Sequence, residues 1–219
     1  MREISLEVWG DFACFSRPEC KVERLSYPVI TPSAARGILS AIYSKPVEFY
    51  WQVKRIEVLS PIKYMSFKRN EVKSRQSGKN PVFVEDDRTQ RQCVVLKDVR
   101  YRITAEIVKR PDFSGTLEQL YAQALNRIEK GKCFFQPSLG LREFVCYFGP
   151  SGDSAPIEDS CDLGYMLYDV FDFKNDIEVT EKTAPCISLF SAKMERGVIE
   201  VPEIDSPLVL KPEGGVKDA

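Results

Sequence analysis

Two segments of this chain carry the stripe and the end signals of a helix. Nearly every apolar run around them alternates with the two-residue period of a strand, which confines the fold to a sheet with helices laid on it. In the first segment Thr31-Pro32 pairs an N-cap with proline at the first helical position, Ala34, Ala35, Ile38, Leu39 and Ile42 share one face, and Lys45-Pro46 marks the end. In the second, Thr116-x-x-Gln119 forms a capping box, Leu117, Leu120, Tyr121, Ala124, Leu125 and Ile128 make the stripe, and Gly131 closes it. Strands are expected from Ile4 to Trp9, from Phe49 to Leu59, from Ile62 to Phe67, from Cys93 to Ile107 as one long strand or a bent pair, and from Phe144 to Phe148. This order predicts an α+β, modified ferredoxin-like domain over residues 1–149, with both helices on one face of an antiparallel sheet and the other face open. After Pro150-Ser151-Gly152, apolar runs at Leu163 to Phe171 and Ile187 to Phe190 predict a small C-terminal antiparallel β-sheet appendage over 150–219.

Composition narrows the chemistry. The chain has no histidine, which removes Ser-His-Asp triads and histidine-ligated zinc and leaves Tyr, Lys, Arg, carboxylate or Cys groups for proton transfer. Seven cysteines without a Cys-x-x-Cys pair fit neither a disulfide framework nor a zinc site, so free thiols and no metal are expected. Neither Gly-x-Gly-x-x-Gly nor a P-loop occurs, and no cofactor is expected. No apolar run approaches a membrane span and Met1 to Gly10 lacks a signal-peptide layout, so a cytoplasmic protein without membrane contact is expected.

Charge is divided along the chain. Residues 1–150 carry 25 Lys and Arg against 17 Asp and Glu, whereas residues 151–219 carry 6 against 15. Between Lys63 and Arg110 the balance is 13 to 6, interleaved with Tyr64, Phe67, Phe83 and Tyr101, a mixture suited to phosphates and unstacked bases. From Arg69 to Arg91 the apolar period vanishes, and a long exposed loop is expected. Gly140-Leu141-Arg142 offers close backbone approach beside a guanidinium, although a simple turn explains it as well.

Several motifs resemble one family. Val8-Trp9-Gly10-Asp11-Phe12-Ala13-Cys14-Phe15-Ser16-Arg17-Pro18, Arg24-Leu25-Ser26-Tyr27-Pro28, Thr31 to Leu39, Ile42 to Pro46, Leu96 to Tyr101 and Phe135 to Phe144 together resemble the CRISPR-associated Cas-five (Cas5) proteins of subtype I-C, over nearly the whole chain. The resemblance implies an RRM-like, repeat-associated RNA-binding fold and a metal-independent endoribonuclease. Such an enzyme cuts the repeat hairpin of CRISPR precursor RNA and keeps the 5′ handle of the mature guide RNA, beside Cas-seven-type backbone and Cas-eight-type large subunits. The alternatives are a non-catalytic guide-binding subunit and a duplex-DNA-binding module.

The resemblance also assigns a part in cleavage to the tyrosine at the end of the first helix, Tyr43. Lys45 is the nearest cation in sequence, and Lys109, Arg110, Lys130 and Lys132 flank the second helix as candidates for steadying phosphate charge. Family members often carry a Lys-His pair near the start of that helix, where this chain reads Thr116-Leu117-Glu118-Gln119-Leu120. The expected RNA-binding residues are Arg24, Arg36, Lys68, Arg69, Lys73, Arg75, Arg88, Arg91 and Arg142.

Overall fold

The computed structural model describes residues 3–20, 22–74, 83–177 and 183–211. In chain order the elements are β1 (Glu3–Ala13), β2 (Arg24–Leu25), α1 (Pro32–Ile42), β3 (Phe49–Val58), β4 (Tyr64–Val72), α2 (Val84–Asp87), β5 (Arg88–Lys109), α3 (Leu117–Glu129), β6 (Tyr147–Pro150), β7 (Cys161–Asp169), β8 (Ser188–Met194), β9 (Val198–Glu200) and β10 (Val209–Leu210). The main sheet runs β6-β1-β5-β3-β9, with β2 and β4 on the early part of β5; β10-β8-β7 form a second sheet. Among the described residues every ladder is antiparallel apart from the short parallel pair of β2 with β5. Among the described residues no helix is long and apolar enough to cross a membrane.

Both helices start where their caps place them, with Thr31 accepting from the Ala34 N–H and Thr116 from the Gln119 N–H. Ile38, Leu39 and Ile42 of α1 and Leu120, Tyr121, Ala124 and Ile128 of α3 join Leu6, Val8, Ile103 and Ile107 in one buried cluster. Leu117 and Leu125, expected on the buried stripe, stand exposed because α3 offers the sheet a narrower face than its apolar count suggests. Tyr168, Phe190 and Ile199 lie in the same cluster, so the small sheet shares the main core.

Two expectations are corrected. Of the segment 69–91 expected as a long loop, residues 69–72 and 88–91 are strand, with β4 paired to β5 as a ribbon from Tyr64 opposite Leu96 to Val72 opposite Arg88; residues 84–87 are a short helix, and 75–82 lie outside the described residues. Solvent reaches most of both faces of this ribbon, so no burial period marks it in the sequence. The strand expected at Phe144 begins instead at Tyr147, because residues 138–146 close a turn through Leu139 N–H to Phe144 O and Phe144 N–H to Leu141 O.

The sheet face opposite the helices is only partly open. Residues 151–157 cross it as a strap, with the Gly152 N–H on Glu7 Oε1 at 2.9 Å, Arg102 Nη2 on the Gly152 and Ser154 carbonyls, and the Ile157 N–H on the Val58 carbonyl.

Candidate nucleic-acid interface and cleavage site

At Tyr43 the backbone turns extended (φ −151, ψ 118) and α1 stops. The side chain is 1% exposed, with its ring 5.2 Å from that of Phe49 and 6.3 Å from that of Phe134. Trp51 Nε1 donates to the Tyr43 carbonyl at 2.7 Å, and the Tyr43 hydroxyl donates to Gln123 Oε1 at 2.8 Å. Burial pushes the phenol up; Lys45 and Arg127 pull it down and Glu48 pushes it further up, leaving a pKa above the ordinary tyrosine value. The neutral phenol is therefore a hydrogen-bond donor at physiological pH rather than a base.

The cation beside this ring is Arg127, one turn beyond Gln123 on α3. Its guanidinium lies 5.7 Å from the Tyr43 centroid and 4.1 Å from that of Phe134, and Nη1 donates to the Ile42 carbonyl at 3.3 Å, an unpaired acceptor at the end of α1. Arg127 is not among the residues expected from the sequence, although its spacing of four from Gln123 and its place in the last turn of α3 are signals the sequence carries. Lys45 is near but bound, Nζ meeting both Glu48 oxygens at 2.8 and 3.0 Å. Lys109 pairs by backbone with Phe49 and holds its ammonium over Phe113 at 5.6 Å rather than over Tyr43. Arg110 is buried and spends its guanidinium on the Pro46, Lys174 and Phe173 carbonyls. Lys130 caps α3 and Lys132 follows it, both exposed.

A groove of about 1000 Å³ runs beside α1. Ser33, Gly37 and Ser40 line the helix side, and Phe135, Gln136 and Arg142 line the other. Its end at Ala41 adjoins the Tyr43 cluster, since the Phe134 and Phe135 N–H groups both donate to the Ala41 carbonyl. Gly140 (φ +87) serves packing here: a β-carbon there would sit 1.9 Å from the Cys14 carbonyl oxygen, so its close approach is to protein backbone. Arg36 also borders the groove, but its guanidinium is held by Asp169 at 2.6 and 2.8 Å and lies over Phe173, making it a strut between α1 and β7.

The ribbon gathers the remaining expected cations. Glu71 contacts Arg69 at 2.7 Å, Arg24 at 3.4 Å and Arg91 at 3.4 Å, and Arg69 also meets Glu143. The Arg69 hydrogen bond, partly opposed by burial, and the charges of Arg24, Arg69 and Arg91 hold the Glu71 carboxyl below its ordinary pKa. Lys68, Lys73 and Arg88 are exposed along the same ribbon, as is Arg142 in the groove wall, whereas Arg75 lies outside the described residues.

A family model described as "CRISPR-associated protein (Cas_Cas5)", the Cas5d model, matches residues 3–202. The chain belongs to the Cas5d branch of the Cas5 family. Among curated Cas5d relatives, the "CRISPR pre-crRNA endoribonuclease Cas5d" of Thermus thermophilus is 48% identical over 171 residues, 78% of this chain and 74% of that protein. Its counterpart in Mannheimia succiniciproducens is 41% identical over 222 residues, 91% of this chain and 94% of that protein. The chain also shares its fold with the crystal structure of a CRISPR-associated protein (TM-score 0.68, 21% identity, 95% and 96% of the two chains). A functionally uncharacterized protein from Streptococcus mutans matches similarly (TM-score 0.66, 20% identity, 95% and 97%).

Proposed function

We propose that this Cas5d chain is a metal-independent endoribonuclease that cleaves CRISPR precursor RNA in the repeat hairpin and then holds the 5′ handle as a subunit of the interference complex. The observation that carries the reading is the pairing of a neutral phenol, Tyr43, with a guanidinium, Arg127, at one end of a groove whose wall bears Arg142. The names of the two curated relatives support it. The strand order β6-β1-β5-β3 with α1 and α3 on one face supports a ferredoxin-like, RRM-like unit over 1–149, braced by the β appendage of 150–219 in a cytoplasmic protein.

In this mechanism the 2′-hydroxyl gives its proton to water as its oxygen attacks the adjacent phosphorus in line, the P–O5′ bond breaks, the departing 5′-oxygen takes a proton from water, and the products are a 2′,3′-cyclic phosphate and a 5′-hydroxyl. Tyr43 donates its hydrogen bond, after leaving Gln123, to a phosphate oxygen or to the departing 5′-oxygen, while Arg127 and Lys45 steady the crowded phosphate charge. RNA beyond the scissile bond follows the groove to Arg142 and the ribbon, where Lys68, Lys73 and Arg88 meet phosphates and Arg24, Arg69 and Arg91 exchange Glu71 for them. Cas-seven-type and Cas-eight-type subunits are the proposed protein partners.

A second reading, a guide-binding or duplex-DNA-binding subunit without catalysis, draws on the 1% exposure of Tyr43 and the absence of a Lys-His pair before Leu120. Incubation of the purified protein with its cognate repeat RNA in EDTA separates the two: the nuclease yields a cyclic-phosphate end at the hairpin, and an uncut hairpin that is still bound establishes the second reading. Tyr43→Phe is expected to slow cleavage by on the order of 10²-fold with RNA affinity kept; full activity would remove Tyr43 from the chemistry.

A further inference from the structure

The strap over the second sheet face leaves one row of side chains uncovered. On β1 the residues Ile4, Leu6 and Val8 point into the core, so Glu7 and Trp9 take the opposite face. Tyr147 on β6 and Arg100 on β5 are the direct cross-strand partners of Trp9, one on each side. The Trp9 and Tyr147 rings are inclined by only 26° with centroids 6.3 Å apart, and the Arg100 guanidinium lies 5.4 Å from the Trp9 centroid. Beside them Gly149 faces the indole edge, where a β-carbon would make an ordinary contact at 3.6 Å. Trp9 is 36% exposed, Tyr147 54% and the Arg100 side chain 48%. Their neighbour Glu7 is buried and answered by Arg100 at 2.7 Å, Arg102 at 3.1 Å and the Gly152 N–H, so no bare carboxylate underlies the row.

We propose that Trp9, Tyr147 and Arg100 form a stacking platform for an unpaired nucleobase of single-stranded RNA, on the sheet face opposite the Tyr43 cluster. The inference rests on the reading of this chain as an RNA-binding protein and adds to it a second contact point. Two nearly parallel, partly exposed rings match the flat π-surface that every base carries, and stacking of this kind is tolerant of sequence. Arg100 supplies the cation that a flanking phosphate needs at the platform's edge. A protein occupant fits less well: two rings and a guanidinium fall far short of the roughly 800 Å² per partner of a stable protein interface. The exposed Asp11 further along the same strand fits a base, rather than a phosphate, over the rings.

The test uses the chain's own fluorophores, because Trp9 is exposed and the second tryptophan, Trp51, is 3% exposed. Unstructured RNA hexamers titrated into the intact protein are expected to quench tryptophan emission, and Trp9→Leu is expected to abolish the quench. Trp9→Leu and Tyr147→Leu are each expected to weaken hexamer affinity by roughly 5- to 100-fold, a loss of similar size at low and high salt because stacking carries no counterion release. Emission unmoved by saturating hexamer, or moved equally in Trp9→Leu, overturns the platform. Emission that answers to an added complex subunit and not to RNA overturns it in favour of a protein contact. Hairpin cleavage is measured on the same samples: cutting that persists while the quench is absent sinks the platform alone, whereas a quench without cutting sinks only the nuclease reading.

Discussion

Arg36 and Arg110 are arginines that a tally of charge assigns to a ligand and that packing assigns to the protein itself. Asp169 is 2% exposed at its side chain and accepts both Arg36 nitrogens, so Arg36→Ala would leave a buried carboxylate without its cation. The expected cost is about 3 kcal/mol, read by chemical denaturation, and a loss under 1 kcal/mol would contradict the strut. Gly140→Ala is expected to cost more than about 1 kcal/mol, since it combines a left-handed φ with a clash against the Cys14 carbonyl. Tyr43 was legible only through family resemblance, and its environment sets its role: a phenol held above its ordinary pKa stays protonated across the working range. The cleavage rate is therefore expected to show no inflection from Tyr43 between pH 6 and about 9, and an inflection inside that range that vanishes in Tyr43→Phe would refute a neutral donor.

Among the elements, α1 and α3 were legible because caps and stripes are local signals, carried by Thr31, Pro32, Thr116 and Gly131 within a few residues of the helices they bound. The ribbon was not, because Lys68, Asn70 and Val72 are all exposed and its partner strand is fixed by pairing alone. The three-residue β9 was equally hidden, its place set by Ile199 opposite Ile56 across a long separation in the chain. The roles of Arg127 and Glu71 are hidden in the sequence for the same reason, since their partners lie on other elements. Within the ribbon Glu71 competes with any phosphate for three arginines. Glu71→Gln is expected to tighten RNA binding and to steepen the fall of affinity with salt; an unchanged slope would show that these arginines do not reach the RNA.

At the scale of the molecule the acidic C-terminal stretch is woven into the basic half. Gln52 Nε2 reaches the Tyr168 hydroxyl at 3.0 Å and the Pro202 carbonyl at 3.3 Å, Arg110 reaches residues 173 and 174, and β9 extends the main sheet. Thermal unfolding is expected as a single transition, and two resolved transitions would show that the β appendage is energetically separate. Beneath the strap, burial works to raise the Glu7 carboxyl, yet hydrogen bonds from Arg100, Gly152 and Arg102 hold it below its ordinary value. A depressed folded-state pKa contributes stability above the unfolded value of about 4.5 and loses it as pH falls through the folded one, so Glu7→Gln is expected to flatten the acid limb of the stability curve below pH 4.5.

Arg88–Lys109 is one continuous strand of 22 residues whose early part belongs to the ribbon and whose later part runs through the centre of the main sheet. Its backbone amides therefore span two regimes of protection within a single element. Those of Ile103 to Ile107 are expected to trade deuterium only through global opening, while those of Arg88 to Gln92 trade it through local fraying, so the gradient along one strand measures how far a ligand bound on the ribbon would stiffen the chain toward its centre.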